Sequence, residues 1–281
     1  MTFEAGLAPT TDLHSHLVPG VDDGAPSLED ALEGIGRMVE RGIRRIVTTP
    51  HLEGSLTLNS SRLDERLAWF DEAFEETRSV ARSRWPDLRL ERSNEVALDH
   101  PMVSLSDPRL RLGTGSFTLV EWPRLQVPPG SSQVLERLTG EGYELLLAHP
   151  ERYASRGDGM ARLERWRATG ARFQVNYGSI AGVYGEEVRR RAMGLLSRGW
   201  VDCLATDFHG RPGLRLFIVE ARERIRRIEE ASGSGSGSWD LLARTNPERI
   251  AEGEPPHPVP PLPWGEGIWE RVTALLRPGR P

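Results

Sequence analysis

The chain has 281 residues, with 36 basic and 41 acidic side chains and a formal net charge of −5. All the basic residues are arginine, because the chain contains no lysine. The missing lysine excludes a Schiff-base enzyme, a Walker P-loop and a kinase that needs its strand lysine. The mildly acidic charge does not favour a nucleic-acid surface either, so nucleic acid is not an expected partner.

The rest of the composition indicates a cytoplasmic protein. The hydrophobic share of 38% is sufficient for a core, and the length suits one or two domains or a single α/β barrel. A single cysteine, Cys203, excludes an internal disulfide and fits a reducing compartment. No apolar run approaches the ~20 residues of a membrane span, and the N-terminus lacks a signal-peptide pattern. We therefore expect no membrane insertion.

Strand-like and helix-like patterns alternate along most of the chain. In chain order, strands are predicted at 12–14, 43–48, 88–96, 116–122, 143–148, 172–177 and 201–206. The helices predicted between and after them are at 27–42, 60–84, 132–140, 160–169, 185–198 and 214–230. About seven β/α units in one run favour a parallel sheet that is closed or nearly closed into a barrel.

The composition changes after this run. Residues 232–238 alternate serine and glycine and are predicted to form a flexible loop. A last short helix is predicted at 239–250, a proline-rich stretch follows at 254–263, and a small helix is predicted at 264–276. These changes divide the chain into a barrel domain over residues 1–250, with the 232–238 loop inside it, and a proline-rich C-terminal tail over 251–281.

Histidines and carboxylates follow the predicted strands at the point where each strand ends. His14 and His16 follow the first strand, and Asp207 and His209, with the same spacing, follow the seventh. Alternation puts residues i and i+2 on one side of a strand, so each pair can reach one ion. The other strand ends carry His51, Glu95, Glu121 and His149, and the first strand is also followed by Asp22 and Asp23, either of which could supply a ninth ligand. All strand carboxyl ends of a parallel barrel open on one face, so these groups should converge.

The type and number of these groups indicate more than one metal ion. Imidazole and carboxylate ligands without thiolate suit Zn, Mn or Fe(II). Nine candidate ligands are too many for one ion, and bridging carboxylates imply two or three ions, an arrangement used in phosphoester hydrolysis. A thiol mechanism is not favoured, because Cys203 lies inside an apolar predicted strand and the sixth residue after it is His209 rather than arginine.

Several of these segments together resemble a known family. They are the run HSHLVPGVDDG from His14 to Gly24, the TPH that ends at His51, the HPERY that begins at His149 and the DFH that begins at Asp207, with Glu95 and Glu121 between them. They resemble the polymerase and histidinol phosphatase (PHP) superfamily. More narrowly, they are similar to the manganese-dependent protein-tyrosine phosphatases of bacterial capsule and exopolysaccharide clusters, over roughly residues 10–250.

The resemblance implies a distorted (β/α)7 TIM-like barrel with a trinuclear manganese centre, in which Fe or Zn are the other metals considered. It assigns one ion to His14, His16, Glu95 and Asp207, a second to Asp23, His51 and His209, and a third to Glu95, Glu121 and His149. Glu95 would bridge, and Asp22 would brace the loop rather than bind metal.

The resemblance also implies a reaction and a partner. Arg152, Asp207 and His209 would be the catalytic residues, and Arg152 would bind the substrate phosphate together with Arg215 or Arg211, with Arg215 ranked slightly ahead. The implied substrate is phosphotyrosine, on the tyrosine-rich tail of a bacterial tyrosine kinase of polysaccharide export. Two alternatives stay open: a small-molecule phosphatase, for example of histidinol phosphate, and a non-enzymatic metal-binding regulatory protein.

Overall fold

The computed structural model describes residues 11–153, 159–233 and 237–263. The predicted helix at 264–276 and the middle of the 232–238 loop lie outside these ranges. No helix in the described ranges combines the length and the apolar composition that a membrane-spanning segment needs.

Parallel strands and helices alternate along the described chain, as the sequence predicts. The strands are β1 (Thr11–Asp12), β2 (Arg45–Thr48), β3 (His51–Glu53), β4 (Arg89–Arg92), β5 (Glu95–Ala97), β6 (Phe117–Glu121), β7 (Glu144–Ala148), β8 (Arg172–Asn176) and β9 (Cys203–Ala205). Every pairing between these strands is parallel. The larger sheet has the order β3-β5-β6-β7-β8-β9 and the smaller one the order β1-β2-β4.

The helices cover the apolar faces of these strands. They are α1 (Leu28–Glu40), α2 (Ser60–Arg84), α3 (Ser131–Gly140), α4 (Gly159–Ala168), α5 (Tyr177–Ala181), α6 (Glu186–Leu196), α7 (Ile218–Ser232), α8 (Ser238–Asp240) and α9 (Asn246–Ala251). Ser27 caps α1 by accepting the Asp30 N–H at 3.2 Å. The short helix α5 was not predicted from the sequence.

Two predicted strands are interrupted, and this divides the sheet. The predicted strand at 88–96 is two strands, β4 and β5, separated at Ser93–Asn94. The predicted strand at 43–48 begins at Arg45 and resumes as β3 after Pro50, which has no N–H to donate to a neighbouring strand. The chain therefore passes twice from the smaller sheet to the larger one.

Backbone hydrogen bonds also connect the first and last strands. The His16 N–H donates to Phe208 O at 2.8 Å, and the Asp207 N–H donates to His14 O at 2.9 Å. These bonds bring the segment after β1 next to the segment after β9, although they are nearly two hundred residues apart in sequence. The fold is thus mixed α/β with parallel sheets whose carboxyl ends face the same side.

The buried apolar residues form two clusters. The larger one lies between the strands and the helices and includes Trp122, Trp166 and Phe173. The smaller one contains alternate strand residues, among them Val47 and Leu146, together with Ile250 and Ala251 of α9. Cys203 is fully buried in this smaller cluster, which confirms its predicted place in the core.

The chain after α7 packs on the body of the protein. Helix α8, a π-helical segment at Leu241–Thr245 and α9 follow one another where the sequence predicted one short helix. The Asn246 side chain accepts the His257 N–H at 2.8 Å and donates to Asp202 O at 2.8 Å. The Leu262 N–H donates to Leu196 O at 3.0 Å. The proline-rich stretch therefore lies against α6 and α9 over its described residues.

Candidate metal centre

Four side chains meet at the carboxyl ends of the strands. His14 and His16 follow β1, Glu95 begins β5 and Asp207 follows β9, and all four are buried. His14 Nε2 lies 3.2 Å from His16 Nε2, 3.2 Å from Glu95 Oε2 and 3.4 Å from Asp207 Oδ1. His16 Nε2 lies 3.4 Å from Glu95 Oε2 and 3.5 Å from Asp207 Oδ1.

These distances are those of ligands around one ion. A tetrahedral ion with bonds of about 2.1 Å keeps its ligand atoms about 3.4 Å apart. The five separations run from 3.2 to 3.5 Å. Two imidazole nitrogens and two carboxylate oxygens in this arrangement fit a first-row divalent cation.

A second group lies beside the first and is more exposed. Asp23 Oδ1 is 3.4 Å from His51 Nε2 and 3.3 Å from His209 Nε2. These three residues, together with His16, can offer ligand atoms that all lie within 4.8 Å of one another. The geometry thus brings together the three residues that the family resemblance assigns to the second ion.

The last two predicted ligands, Glu121 and His149, lie on different sides of Glu95. Glu121 Oε1 is 3.1 Å from His51 Nδ1, and His149 Nε2 is 3.0 Å from Glu95 Oε1. Glu121 groups with His51 and Glu95, whereas His149 groups with His14 and Glu95. Among the described residues, no group of potential ligands holds Glu121 and His149 together. The ligands that the resemblance implies for the third ion are therefore divided between two groups, which share Glu95. We call the nine predicted ligands the ligand cluster.

Several atoms of the ligand cluster are buried without a hydrogen-bond partner in the described structure. They are Glu95 Oε2, His51 Nδ1 and His149 Nδ1. A buried polar atom without a partner is costly, because it loses water and gains nothing in exchange. Glu95 Oε2 also lies within 3.4 Å of nitrogens from His14, His16 and His51. A cation beside this oxygen would satisfy it, so the residues present fit bound metal.

The charges of the cluster compensate one another. Burial alone would lower the pKa of His51, but Asp23, Glu121 and Glu95 outweigh burial and raise it. Burial alone would raise the pKa of Glu95, but the charge and hydrogen bonds of His14 and its neighbours hold it well below the usual value. Positive charge therefore stabilises this site, and metal cations can supply it in place of protons.

Neighbouring residues fix which ring nitrogens face the cluster. Asp22 Oδ2 accepts from His16 Nδ1 at 2.7 Å and from the His51 N–H at 3.1 Å. Asp22 Oδ1 accepts the Gly24 N–H at 2.9 Å. Asp22 thus makes the bracing contacts that the sequence predicts, and it leaves His16 Nε2 directed at the cluster.

A second chain of contacts holds Asp207. His14 Nδ1 donates to Gln174 Oε1 at 2.8 Å, and Gln174 Nε2 donates to Asn176 Oδ1 at 2.8 Å. Asn176 Nδ2 then donates to Asp207 Oδ2 at 2.7 Å. Because the Asn176 N–H also donates to buried Glu151 at 3.1 Å, the end of β8 fixes the orientation of Asp207. Asn176 therefore supports a predicted ligand.

The backbone is strained around the same site. Among the described residues, five that are not glycine have a positive φ, and four of them line one cavity of about 430 Å³: Arg124 (56°), Leu125 (56°), His149 (35°) and Asp207 (49°). Such conformations are disfavoured for residues with a Cβ and cluster at functional sites. His209 and Glu121 line the cavity too, so it opens on the ligand cluster.

Arg152 lies inside this cavity. It ends a 3₁₀ turn at Pro150–Arg152, and its Nη1 donates to Asp207 Oδ2 at 2.5 Å. The next residue, Tyr153, anchors the turn, since its hydroxyl accepts the Trp122 N–H at 3.0 Å and donates to Ala148 O at 3.1 Å. The HPERY segment is thereby held so that one guanidinium lies beside the predicted ligands.

The two other predicted phosphate arginines occupy different places. Arg211 Nη2 lies 4.0 Å from Asp23 Oδ2, at the edge of the ligand cluster. Arg215 forms an ion pair with Glu220 and lines a separate cavity with Arg37. The geometry therefore favours Arg211, which reverses the slight preference for Arg215 that the sequence suggested.

Two residues that share the cavity region with Arg152, Tyr184 and Arg124, were not identified from the sequence. The Arg152 guanidinium lies 4.5 Å from the centre of the Tyr184 ring, and that ring is 39% exposed. Gly178 leaves room for the ring, because a Cβ there would lie 2.9 Å from it. Arg124 lines the cavity three residues after Glu121. No spacing marks Tyr184, whereas the position of Arg124 just beyond a predicted ligand was a usable signal.

Comparison with known proteins gives one family. The family model for capsular polysaccharide synthesis, CpsB/CapC, matches residues 10–251. The tyrosine-protein phosphatase YwqE of Bacillus subtilis is 27% identical over 264 residues, covering 88% of this chain and 96% of the relative. The tyrosine-protein phosphatase CpsB of Streptococcus pneumoniae is 27% identical over 251 residues, covering 85% and 97%.

A solved structure supports the fold. It comes from work on YwqE from B. subtilis and CpsB from S. pneumoniae, which are described as unique metal-dependent tyrosine phosphatases. It superposes with a TM-score of 0.72 at 24% identity, covering 92% of this chain and all of the other. The superposition supports the fold of this chain.

Proposed function

The chain belongs to the CpsB/CapC family of capsular polysaccharide synthesis, and from that premise we propose that it is a metal-dependent protein-tyrosine phosphatase. The single observation that carries the proposal is the convergence of all nine predicted ligands in overlapping groups, six of which line one cavity together with Arg152. Metal ligands beside a fixed arginine suit the binding of a phosphate monoester. The relatives named as tyrosine-protein phosphatases support the choice of phosphotyrosine.

The metal content is part of the proposal. The ligand cluster would hold two or three ions. Its donors mix imidazole with carboxylate and include no thiolate, which suits Mn, Fe or Zn, and the family resemblance is the reason that we favour Mn²⁺. His14, His16, Glu95 and Asp207 would hold one ion, and Asp23, His51 and His209 another. Glu121 and His149 would complete the set through Glu95. Bound divalent ions would lower the pKa of water and neutralise phosphoryl charge.

The chain's own residues bind and orient the substrate. Arg152 presents a planar guanidinium, which can donate two parallel hydrogen bonds to phosphate oxygens. Its contact with Asp207 Oδ2 and its stacking on Tyr184 hold it in place before substrate binds. Arg211 at the cluster edge is the second candidate for phosphate. The tyrosinate that leaves has a solution pKa of about 10, so it needs less protonation than an alkoxide.

A covalent thiol mechanism does not fit this chain. Cys203 is the only cysteine, and it is fully buried in β9. Burial also raises the pKa of the Cys203 thiol, so it is not a nucleophilic thiolate. We infer hydrolysis by water that bound metal ions would activate, with Asp207 and His209 ordering the site beside Arg152.

We infer the finer features of the architecture as well. The pairs β2–β3 and β4–β5 each count as one interrupted strand, which gives the seven strands of a distorted (β/α)7 barrel, although a 3₁₀ turn at Pro108–Leu110 stands in place of an α-helix after β5. The hydrogen bonds from Asp207 to His14 and from His16 to Phe208 support this interpretation. The domain would end near residue 250 and be followed by the proline-rich tail. A lone cysteine suits the cytoplasm, where the tyrosine-rich tail of a polysaccharide-export kinase would be the substrate.

The competing substrate class is a small phosphate ester such as histidinol phosphate. The assay compares a phosphotyrosine peptide with histidinol phosphate in the presence of Mn²⁺, with and without a chelator. We expect turnover of the peptide that the chelator abolishes. Turnover of histidinol phosphate and none of the peptide would contradict the proposal, and metal binding without turnover of either substrate would favour a regulatory protein.

Variants test the assignment of residues in the same assay. Asp207→Ala and His149→Ala should both lose peptide hydrolysis and bound metal, measured as metal per chain after gel filtration. Cys203→Ala is the matched control, because it removes the only thiol without touching the ligand cluster. Full activity in either ligand variant would show that the ligand assignment is wrong.

A further inference from the structure

A tight turn at Pro123–Leu125 forms part of the cavity that opens on the ligand cluster. The Gln126 N–H donates to Pro123 O at 3.1 Å, and the two central residues, Arg124 and Leu125, both have φ of 56°. Two consecutive positive φ angles are the pattern of a type I′ turn, which favours Asn-Gly. This chain places arginine and leucine there instead.

The two side chains of the turn have different environments. Leu125 is partly buried and packs against the large apolar cluster, so its packing helps to hold the disfavoured backbone. Arg124 is exposed, and no packing requires an arginine at its position. A disfavoured conformation with an exposed arginine at the cavity indicates that the guanidinium itself has a use.

The two arginines of the cavity lie at different depths. Arg152 is 22% exposed and already contacts Asp207 and Tyr184. Arg124, by contrast, makes no hydrogen bond, ion pair or ring contact within residues 11–153, 159–233 and 237–263. The inner guanidinium is placed for the phosphate, and the outer one is available to an anion that stays outside the cluster.

We propose that Arg124 is a specificity-determining residue that binds a carboxylate side chain next to the phosphotyrosine of a substrate peptide. The inference rests on the proposed tyrosine phosphatase function. A phosphotyrosine whose phosphate reaches Arg152 leaves its flanking residues at the cavity rim, where Arg124 lies. A glutamate or aspartate there can accept two parallel hydrogen bonds from the guanidinium, so the preferred substrates are acidic around the tyrosine.

The test measures kcat/KM for two phosphotyrosine peptides that differ only in having glutamate or glutamine on both sides of the tyrosine. The wild-type enzyme should prefer the acidic peptide about three- to fivefold, the range of an exposed ion pair, mainly through KM. High salt should remove most of this preference. Arg124→Asn should abolish it, and Arg124→Glu should reverse it.

Arg124→Asn is the informative variant because asparagine suits a positive φ, so its Tm should not fall. The matched control is Arg82→Asn, on the exposed surface of α2, which should keep the wild-type activity and preference. An equal rate for both peptides with the wild type would overturn the inference. So would a larger loss with phenyl phosphate than with the acidic peptide in Arg124→Asn, because that result would place Arg124 on the phosphate. A wild type that hydrolysed no phosphotyrosine at all would instead overturn the proposed function.

Discussion

Two polar clusters lie at opposite ends of the strands, and they differ in how their charges are completed. At the amino end, Arg45 begins β2 and is 2% exposed. Its Nε donates to Glu91 at 2.6 Å, and its Nη1 pairs with Glu248 at 3.1 Å and with Glu252. At the carboxyl end lies the ligand cluster, where carboxylates meet imidazoles and buried acceptors such as Glu95 Oε2 have no partner in the described structure.

The difference separates stability from function. The Arg45 cluster is satisfied by the chain itself, since one buried guanidinium meets three carboxylates and attaches α9 to the strands. The ligand cluster depends on protons or metal cations to offset its four carboxylates, and four of the five strained residues line the cavity beside it. In parallel α/β barrels, the architecture that we infer for this chain, the carboxyl ends of strands carry function and the amino ends carry stability. Variants at the carboxyl end should therefore mainly lower activity, and variants at the amino end should mainly lower stability.

The largest effect is expected for Glu95→Gln. The substitution removes the negative charge that contacts nitrogens of His14, His16 and His51. We expect kcat to fall more than about a hundredfold, beyond the 10- to 100-fold typical of residues that only orient ligands. A chelator should lower the Tm of the wild type, because bound metal stabilises the folded state, but it should leave the Tm of this variant unchanged. An unchanged kcat would contradict the central position of Glu95.

A smaller effect is expected for Asp22→Asn. Asparagine keeps one acceptor oxygen and replaces the other with an NH₂ donor, so it cannot accept at both positions, where Asp22 Oδ2 meets His16 Nδ1 and Oδ1 meets the Gly24 N–H. We expect a 10- to 100-fold loss of Mn²⁺ affinity or activity, partly restored by excess Mn²⁺. Asp30→Asn, which alters a partly exposed aspartate beside the α1 cap, is the control. A loss that no concentration of Mn²⁺ restores would argue against an orienting role.

The effect of Arg45→Met should appear in stability rather than activity. Breaking a buried ion pair costs 3–5 kcal/mol, but Glu248 and Glu252 are 42% and 40% exposed, so we expect a loss of about 2 kcal/mol. Urea unfolding with Mn²⁺ present measures this loss, and kcat should stay at the wild-type value. Arg78→Met, which removes an exposed pair with Glu75, should change the free energy of unfolding by less than about 0.5 kcal/mol. A drop in kcat for Arg45→Met would show that the amino-end cluster also affects activity. That result would contradict the separation of stability from function between the two ends.

The positions of the elements were predictable where the local pattern is strong. Helix α2 runs from Ser60 to Arg84, as its apolar spacing predicts, and Ser27 caps α1. The breaks at Pro50 and at Ser93–Asn94 were not predicted, because apolar patterning runs on through a kink. The helix α5 was missed for a related reason, since its five residues are too few for a periodic pattern.

The sequence by itself determined the kind of chemistry. Nine side chains, histidines and carboxylates together, follow predicted parallel strands. They were expected on one face of the sheet, because strand direction fixes where the residues that follow must lie. A single cysteine in an apolar strand argued against a thiol mechanism, and the absence of lysine left arginine, metal ions or backbone N–H groups as the ligands for phosphate. These conclusions depend on residue type and on the position of each residue relative to a predicted strand, and both can be read along the chain.

Only the tertiary structure determined which of these residues lie close together. Glu121 joins His51 while His149 joins His14, and Arg211 rather than Arg215 lies near Asp23. Arg124 and Tyr184 reach the cavity from segments without a motif. The physical reason is that the direction of a side chain at a strand end depends on kinks, strained φ angles and hydrogen bonds from distant residues. These interactions arise only when the strands are packed together.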